Sequence, residues 1–335
     1  MAEQSMALAR TYLKKVDTLR VSITDRCNLR CIYCMPEEGV PLLPSEEILS
    51  YEEIERVVRA AVNSGVSKVR LTGGEPLVRK NVLELVERMA SISGIKDLPL
   101  TTNGVLLEKM AADLKRAGLH RVSVSMDSLQ PEKYRDMTRR PWLQRVLSGI
   151  EAARQADLTP LKINVVVVPR ENDDEAVDFA RFADREGLEV RFIEQMPIAN
   201  RALRTYCTMP AAEFVPSEVL KERIESEYGK LEPLSGVETG RPASLYRLSG
   251  GGKIGFISAL SRPFCKWCRR MRLTPEGTLR PCLAESTEID VKGPLRKGAS
   301  QKELEEIFLY AVSQKPEKAA ACFEGSQRGM SQIGG

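Results

Sequence analysis

The chain has 335 residues, enough for one large α/β domain with a smaller appended unit. Its formal net charge of +4 is too slight to argue for a nucleic-acid or membrane partner, and neither is expected. The longest β-branched run, Val165 to Val168, is far too short to span a bilayer. Residues 1–15 carry charges where a secretory signal needs an apolar core, so a cytoplasmic location is expected.

Short β-like runs fall at residues 19–24, 66–72, 97–101, 121–126, 161–168 and 188–194. Longer amphipathic stretches separate them. Residues 48–62 gather Ile48, Ile54, Val57, Val58 and Ala61 mostly on one helical face, and 82–89 and 105–117 behave similarly. Pro44-Ser45-Glu46-Glu47 predicts a turn leading into a helix, while Gly118 and Gly187 stand where helices stop. Repeated βα units require a parallel sheet, because parallel neighbours need crossover connections. A six-unit open barrel and a doubly wound sheet both fit, and either places the site at the C-terminal rim of the strands. After Pro197 the pattern changes to a helix over 211–229, a hairpin over 244–259 around Gly250-Gly251-Gly252 and a second over 271–282 turning at Pro275-Glu276-Gly277. A last helix covers 301–314, and the tail from Pro316 is expected to lack regular structure.

Six of the eight cysteines form two tight groups: Cys27, Cys31 and Cys34, then Cys265, Cys268 and Cys282. In a reducing compartment such grouping favours metal ligation over disulfides. Cys207 and Cys322 stand alone and read as ordinary thiols, and His120 is the only histidine. The first group follows the first predicted strand. Three thiolates there can hold an iron–sulfur cube and leave its fourth iron open for a small ligand. A zinc site completed by a distant cysteine is the alternative, for this group and for the second. Between Arg262 and Arg280 stand six Lys/Arg residues and one acid, Glu276. That cationic strand suits a polyanion, because guanidinium forks bind phosphate bidentately.

Cys27, Cys31 and Cys34, spaced x₃ and x₂ with Tyr33 before the last, resemble the signature of the radical S-adenosylmethionine superfamily. Thr72-Gly73-Gly74-Glu75-Pro76 is similar to that superfamily's Gly-Gly-Glu-Pro segment. With Leu19-Arg20, Thr24-Asp25-Arg26, Arg70-Leu71, Thr101-Thr102-Asn103-Gly104, Ser123-Val124-Ser125-Met126-Asp127-Ser128, Lys162-Ile163-Asn164, Phe192-Ile193-Glu194-Gln195-Met196, the second cysteine group and Gly334-Gly335, the chain resembles the GTP 3′,8-cyclase family of molybdenum cofactor biosynthesis.

The resemblance implies an α/β fold: an incomplete (β/α)6 TIM-type barrel with a C-terminal extension carrying a second Fe–S cluster. The divisions expected are a tail at 1–15, the partial barrel at 16–197, the C-terminal domain at 198–315 and a tail at 316–335. Each cysteine group would hold a [4Fe–4S] cluster. Tyr33, Gly74, Glu75, Ser125 and Met196 would bind S-adenosylmethionine, and Arg20, Arg70, Thr101, Lys162, Arg270, Met271 and Arg272 would surround GTP. Arg20 with Gly334 and Gly335 would take part in catalysis. An external one-electron reductant and a homodimer are also implied. Two other readings are a related radical enzyme that modifies a peptide and a zinc-stabilised RNA-binding protein. The second would want aromatic stacking platforms, and only 5% of residues are aromatic.

Overall fold

A computed structural model describes residues 16–198, 213–317 and 329–334. The expectations for residues 1–15, Cys207, Cys322 and Gly335 lie outside the described residues. All six strands predicted in the first half are present: β1 (Thr18–Ser22), β2 (Lys68–Thr72), β3 (Pro99–Thr102), β4 (Arg121–Ser125), β5 (Lys162–Val167) and β6 (Glu189–Glu194). Between them run α1 (Tyr51–Asn63), α2 (Val82–Ala90), α3 (Leu107–Arg116), α4 (Pro131–Thr138), α5 (Leu143–Gln155) and α6 (Ala176–Glu186). Helix α1 starts later than its apolar spacing predicts. The Leu49 amide is committed to the Pro275 carbonyl at 2.8 Å, and Ser50 then caps the helix in a reciprocal box with Glu53.

The second half adds α7 (Ser217–Tyr228), β7 (Glu232–Ser235), β8 (Ser244–Arg247), β9 (Lys253–Ile257), β10 (Arg270–Leu273), β11 (Thr278–Arg280), β12 (Ile289–Asp290), α8 (Lys292–Arg296), α9 (Gln301–Ser313) and α10 (Met330–Ile333). Both predicted hairpins form, as β8–β9 and β10–β11. Their strands join the first half's sheet: the order is β12-β11-β10-β1-β2-β3-β4-β5-β6-β9-β8-β7. Strands β10 and β9 lie parallel to β1 and β6, so the run from β10 to β9 is parallel throughout. The tail also departs from expectation. Burial of Ser331 and Ile333 holds α10 in place, and the Gln332 side chain accepts from the Gly329 amide at 3.0 Å. Among the described residues no helix is long and apolar enough to cross a membrane.

Strand alternation sorts the sheet into two faces. Leu19 and Val21, Val69 and Leu71, Val122 and Val124, Ile163 and Val165, and Val190 and Phe192 enter one hydrophobic core beneath the helices. The residues between them are Arg20, Arg70, Ser123, Lys162, Asn164 and Arg191, and they line a cavity on the other face.

Candidate active site

The cavity encloses about 1590 Å³, and all six grouped cysteines line it. Cys27, Cys31 and Cys34 follow the C-terminal end of β1. Cys265 and Cys268 precede β10, which is parallel to β1, and Cys282 follows its antiparallel partner β11. The two groups therefore sit at opposite ends of the strands. At about 3.3 Å per residue, the five residues of β1 separate these ends by roughly 13 Å.

At the first end the chain is tightly determined. A Cβ on Gly74 would lie 2.5 Å from the Arg26 carbonyl oxygen, so only glycine fits beside the cysteine loop. The Gly74 and Glu75 amides donate to Thr24 and Arg26 carbonyls, each at 2.8 Å, tying that loop to the end of β2. The Leu29 amide donates to Cys27 Sγ at 3.4 Å, and Asn103 Nδ2 stands 4.0 Å from the same sulfur. Tyr33 donates to Asp127 Oδ2 at 2.6 Å, and Asp127 Oδ1 accepts from the Val166 amide at 2.8 Å. Burial pushes the Cys27 thiol up to about 11, with Glu75 adding to it; burial and then Asp127 raise Cys31 as well. Burial also lifts Asp127 to about 6.

In the middle, register places three arginines side by side. Arg272 of β10 pairs with Arg20 of β1, and Arg20 pairs with Arg70 of β2. Adjacent strands are about 4.8 Å apart, so the guanidiniums bear on one another. Arg70 falls to about 9 through burial, with Arg121 the next cause; Arg272 falls to about 9 through burial and then Arg270. Arg20 is held well below the usual arginine range by burial, then Arg272 and Arg70. Arg70 Nη1 donates to Thr101 Oγ1 at 3.0 Å and Ser123 Oγ at 3.3 Å. Further along, Lys162 Nζ stands 3.7 Å from Glu189 Oε2, Arg191 pairs with Glu189, and Arg121 holds Asp97 through two bonds. Positive charge exceeds negative along the wall, which favours an anion.

At the far end, burial pushes Cys268 up, but Arg270 and Lys315 outweigh it and bring the thiol down to about 6. Arg270 lies over the Phe264 ring at 5.0 Å. The tail returns to the cavity wall with Met330 and Ser331. Gly334, at φ +72°, accepts from Arg272 Nη1, and a Cβ there would stand 2.8 Å from Ser22 Cβ and 2.9 Å from Thr72 Cγ2.

The residues present fit two iron–sulfur clusters. Each group offers three thiols, none in a disulfide, open to a shared cavity. Among the described residues no three His, Cys, Asp or Glu side chains gather around a single metal-ion position; a cubane instead offers each thiolate its own iron.

Tyr33, Gly74, Ser125, Met196, Arg20, Arg70, Thr101, Lys162, Arg270 and Arg272 all line the cavity. Three predicted site residues among those described do not: Gly334, which packs on Ser22 and Thr72 instead, Met271 and Glu75. Met271 is fully buried in the hydrophobic core, because alternation turns it away from Arg270 and Arg272. Glu75 is 1% exposed and its carboxylate is occupied: it accepts from the Leu77 amide at 3.0 Å, Thr102 Oγ1 at 2.8 Å and the Asn103 amide at 2.6 Å. Sequence reasoning missed Lys68, Asp97, Arg121, Glu189, Arg191 and Lys315, which also line the cavity. For all but Lys315, the available signal was charge inside predicted strands flanked by crossover helices, where both faces are enclosed.

Two family models match successive parts of the chain. Residues 21–183 match the model of the Radical SAM superfamily, and residues 188–321 match Molybdenum Cofactor Synthesis C. The chain is 50% identical to the GTP 3',8-cyclase of Moorella thermoacetica over 327 residues, covering 97% of this chain and 99% of that one. It is 48% identical to the GTP 3',8-cyclase of Heliobacterium modesticaldum, with the same coverage. Among solved structures, Streptococcus suis SuiB bound to its precursor peptide SuiA superposes with a TM-score of 0.62 at 14% identity, covering 97% of this chain and 70% of that one. SuiB bound to S-adenosylmethionine superposes with a TM-score of 0.59 at 15% identity, covering 83% of this chain and 64% of that one; at such identity the likeness is one of fold. Identity this high over nearly the whole length settles descent: the chain belongs to the GTP 3',8-cyclase family of the radical SAM superfamily.

Proposed function

We propose that this protein binds two [4Fe–4S] clusters and S-adenosylmethionine and cyclises GTP to (8S)-3′,8-cyclo-7,8-dihydroguanosine 5′-triphosphate, opening molybdenum cofactor biosynthesis. One observation carries the reading: a single cavity has a three-cysteine group at each end and a row of arginines between them. Family membership favours it over the peptide-modifying and zinc-stabilised RNA-binding alternatives.

The loaded first cluster and S-adenosylmethionine would supply the radical that takes the ribose 3′ hydrogen before closure onto guanine C8. The chain does the rest by binding, orientation and charge compensation. Gly74 lets the cysteine loop pack against the end of β2 and lines the cavity where the amino-acid end of S-adenosylmethionine would bind, and Ser125 and Met196 face the same cavity. Asp127 sets the Tyr33 ring, while Glu75 is a positioning residue that anchors Asn103 beside Cys27. Arg20, Arg70, Arg270, Arg272 and Lys162 neutralise the triphosphate, with Thr101 steering Arg70. Arg272, which pairs with Arg20 across β10 and β1, donates to the Gly334 carbonyl, and this is the basis for a catalytic part for the Gly334-Gly335 segment. Met271 contributes packing.

The parallel run β10 to β9 is read as an incomplete barrel around the substrate: a six-unit core at 16–197, widened by strands from the 198–315 unit, with the 316–335 tail returning to the cavity. An external one-electron reductant and a homodimer complete the proposal, on the family resemblance alone.

The test is anaerobic reconstitution followed by iron, sulfide and zinc analysis, then incubation with GTP, S-adenosylmethionine and a one-electron reductant. Two clusters per chain and reductant-dependent conversion of GTP are expected. Stoichiometric zinc without sulfide, or fully loaded protein that leaves GTP intact, would overturn the reading.

A further inference from the structure

Lys315 follows the C-terminal end of α9, where a lysine commonly serves the last helical carbonyls. Its ammonium goes elsewhere. Nζ donates to the Arg270 carbonyl at 2.7 Å and the Pro281 carbonyl at 2.8 Å, and its third contact is Cys268 Sγ at 3.6 Å. An ammonium has three donors and no acceptor, so these partners account for all of them. Arg270 opens β10, and Pro281 immediately precedes Cys282. One side chain thus joins the two arms of the hairpin that carries the second cysteine group and aims its last hydrogen at a ligand sulfur.

We propose that Lys315 is a positioning and charge-tuning residue for the second cluster, locking the Cys268 and Cys282 arms together and donating to the Cys268 sulfur. The inference rests on the two-cluster reading above. Reduction adds negative charge to an iron–sulfur cluster, and hydrogen bonds to its sulfurs and nearby cations stabilise the reduced form. The effect is magnified where water is largely excluded. Lys315 lines the cavity beside Arg270, so its charge acts at the wall where substrate and second cluster would meet. Arg270 shares the electrostatic part of this task, while Lys315 also bridges the two arms through their backbone carbonyls.

The experiment uses the full chain with Cys27, Cys31 and Cys34 all replaced by Ala, so that any cluster signal comes from the second group. Lys315→Met and Lys315→Arg are built on that background, loaded anaerobically and titrated potentiometrically with EPR detection, alongside iron and sulfide content. Lys315→Met is expected to shift the midpoint to a more negative potential and alter the EPR line shape at unchanged iron, and Lys315→Arg to restore most of the shift. Failure of Lys315→Met to hold its cluster, with Lys315→Arg holding it, supports the same role. An unchanged midpoint and spectrum in fully loaded Lys315→Met overturns it, and so does equal cluster loss in both variants, which marks a packing role. A parent protein that binds no iron and sulfide at the second group removes the two-cluster reading, and this inference with it.

Discussion

The two cysteine groups are alike in ligand type and number, yet their surroundings raise Cys27 and Cys31 and lower Cys268. Around Cys27 and Cys31 the neighbours are burial and buried carboxyls, Glu75 and Asp127, which disfavour a free thiolate. Around Cys268 the neighbours are Arg270 and Lys315, which favour one. The first loop is held by backbone hydrogen bonds to the Gly74–Glu75 edge, a rigid frame with little charge compensation of its own. The second is a 3-10 turn, Cys265–Trp267, leading into a cationic strand. A frame of the first kind suits a group that meets a small zwitterion. One of the second kind suits a group that shares space with a polyanion.

The comparison breaks most severely at the ligands. Replacing Cys27, Cys31 and Cys34 with Ala is expected to abolish 5′-deoxyadenosine formation. Replacing Cys265, Cys268 and Cys282 is expected to leave slow S-adenosylmethionine cleavage while GTP conversion stops. Chromatographic quantification of both products decides it, and normal GTP cyclisation by the second triple variant contradicts the division of labour. Next in size is Gly334→Ala. Its Cβ meets Ser22 and Thr72 at under 3 Å, and the residue sits at φ +72°. Strain of roughly 1–3 kcal/mol displaces the turn from Arg272 and lowers GTP turnover roughly tenfold to a hundredfold. Iron content should stay unchanged, and thermal melting should fall by no more than a few degrees. Full turnover in this variant shows that the Gly334–Arg272 contact is dispensable.

How much of this was legible beforehand depends on whether a signal is local. Six strands were readable because short apolar runs alternate with amphipathic stretches over most of the first half. Both cysteine groups were readable from spacing alone. The docking of β9 and β10 on the edges of the parallel sheet was not, because hairpin strands of four or five residues carry no mark of their outer partner. Met271 was expected near GTP on the family resemblance alone, and the period of two turns its side chain into the core, away from the face that carries Arg270 and Arg272. Arg191 and Lys68 were not singled out, although enclosure on both faces demands a polar cavity for charges in such strands. Lys315 carries no local signal at all, since its partners Arg270 and Pro281 are distant in sequence.

The cationic end is sharpened by Arg270→Ala and Arg272→Ala, each titrated with GTP at equilibrium after cluster content is matched. Loss of one charge-assisted bond costs about 1.5–3 kcal/mol, or roughly tenfold to a hundredfold in affinity. Cleavage of S-adenosylmethionine without GTP should change far less, above all for Arg270→Ala, because Arg270 stands at the other end of the strands from the first cysteine group and Arg272 between the two ends. Unchanged GTP affinity in both variants removes the triphosphate from this end of the cavity.

The smallest expected effect lies between the two ends, at Lys162. Burial, then Arg191, hold its ammonium down to about 7, although Glu189 stands 3.7 Å away and works the other way. Without ligand, this amine is therefore mostly neutral at pH 8. A triphosphate alongside favours the charged form, so GTP binding must raise the lysine's pKa and take up a proton above pH 7. The sign follows from the linkage. The Lys162 contribution to affinity is fully present below about pH 7 and declines as pH rises, by at most about tenfold per unit. Calorimetric titration at pH 8 in two buffers of different ionisation enthalpy counts the protons directly, and the triphosphate of GTP is itself almost fully ionised there. Uptake approaching one proton is expected for the unaltered protein at pH 8 and its disappearance in Lys162→Met, with a flatter affinity profile across pH 7 to 9. No uptake at pH 8, or the same uptake in Lys162→Met, places the phosphates away from this lysine and shortens the anion site to the arginines of β1, β2 and β10.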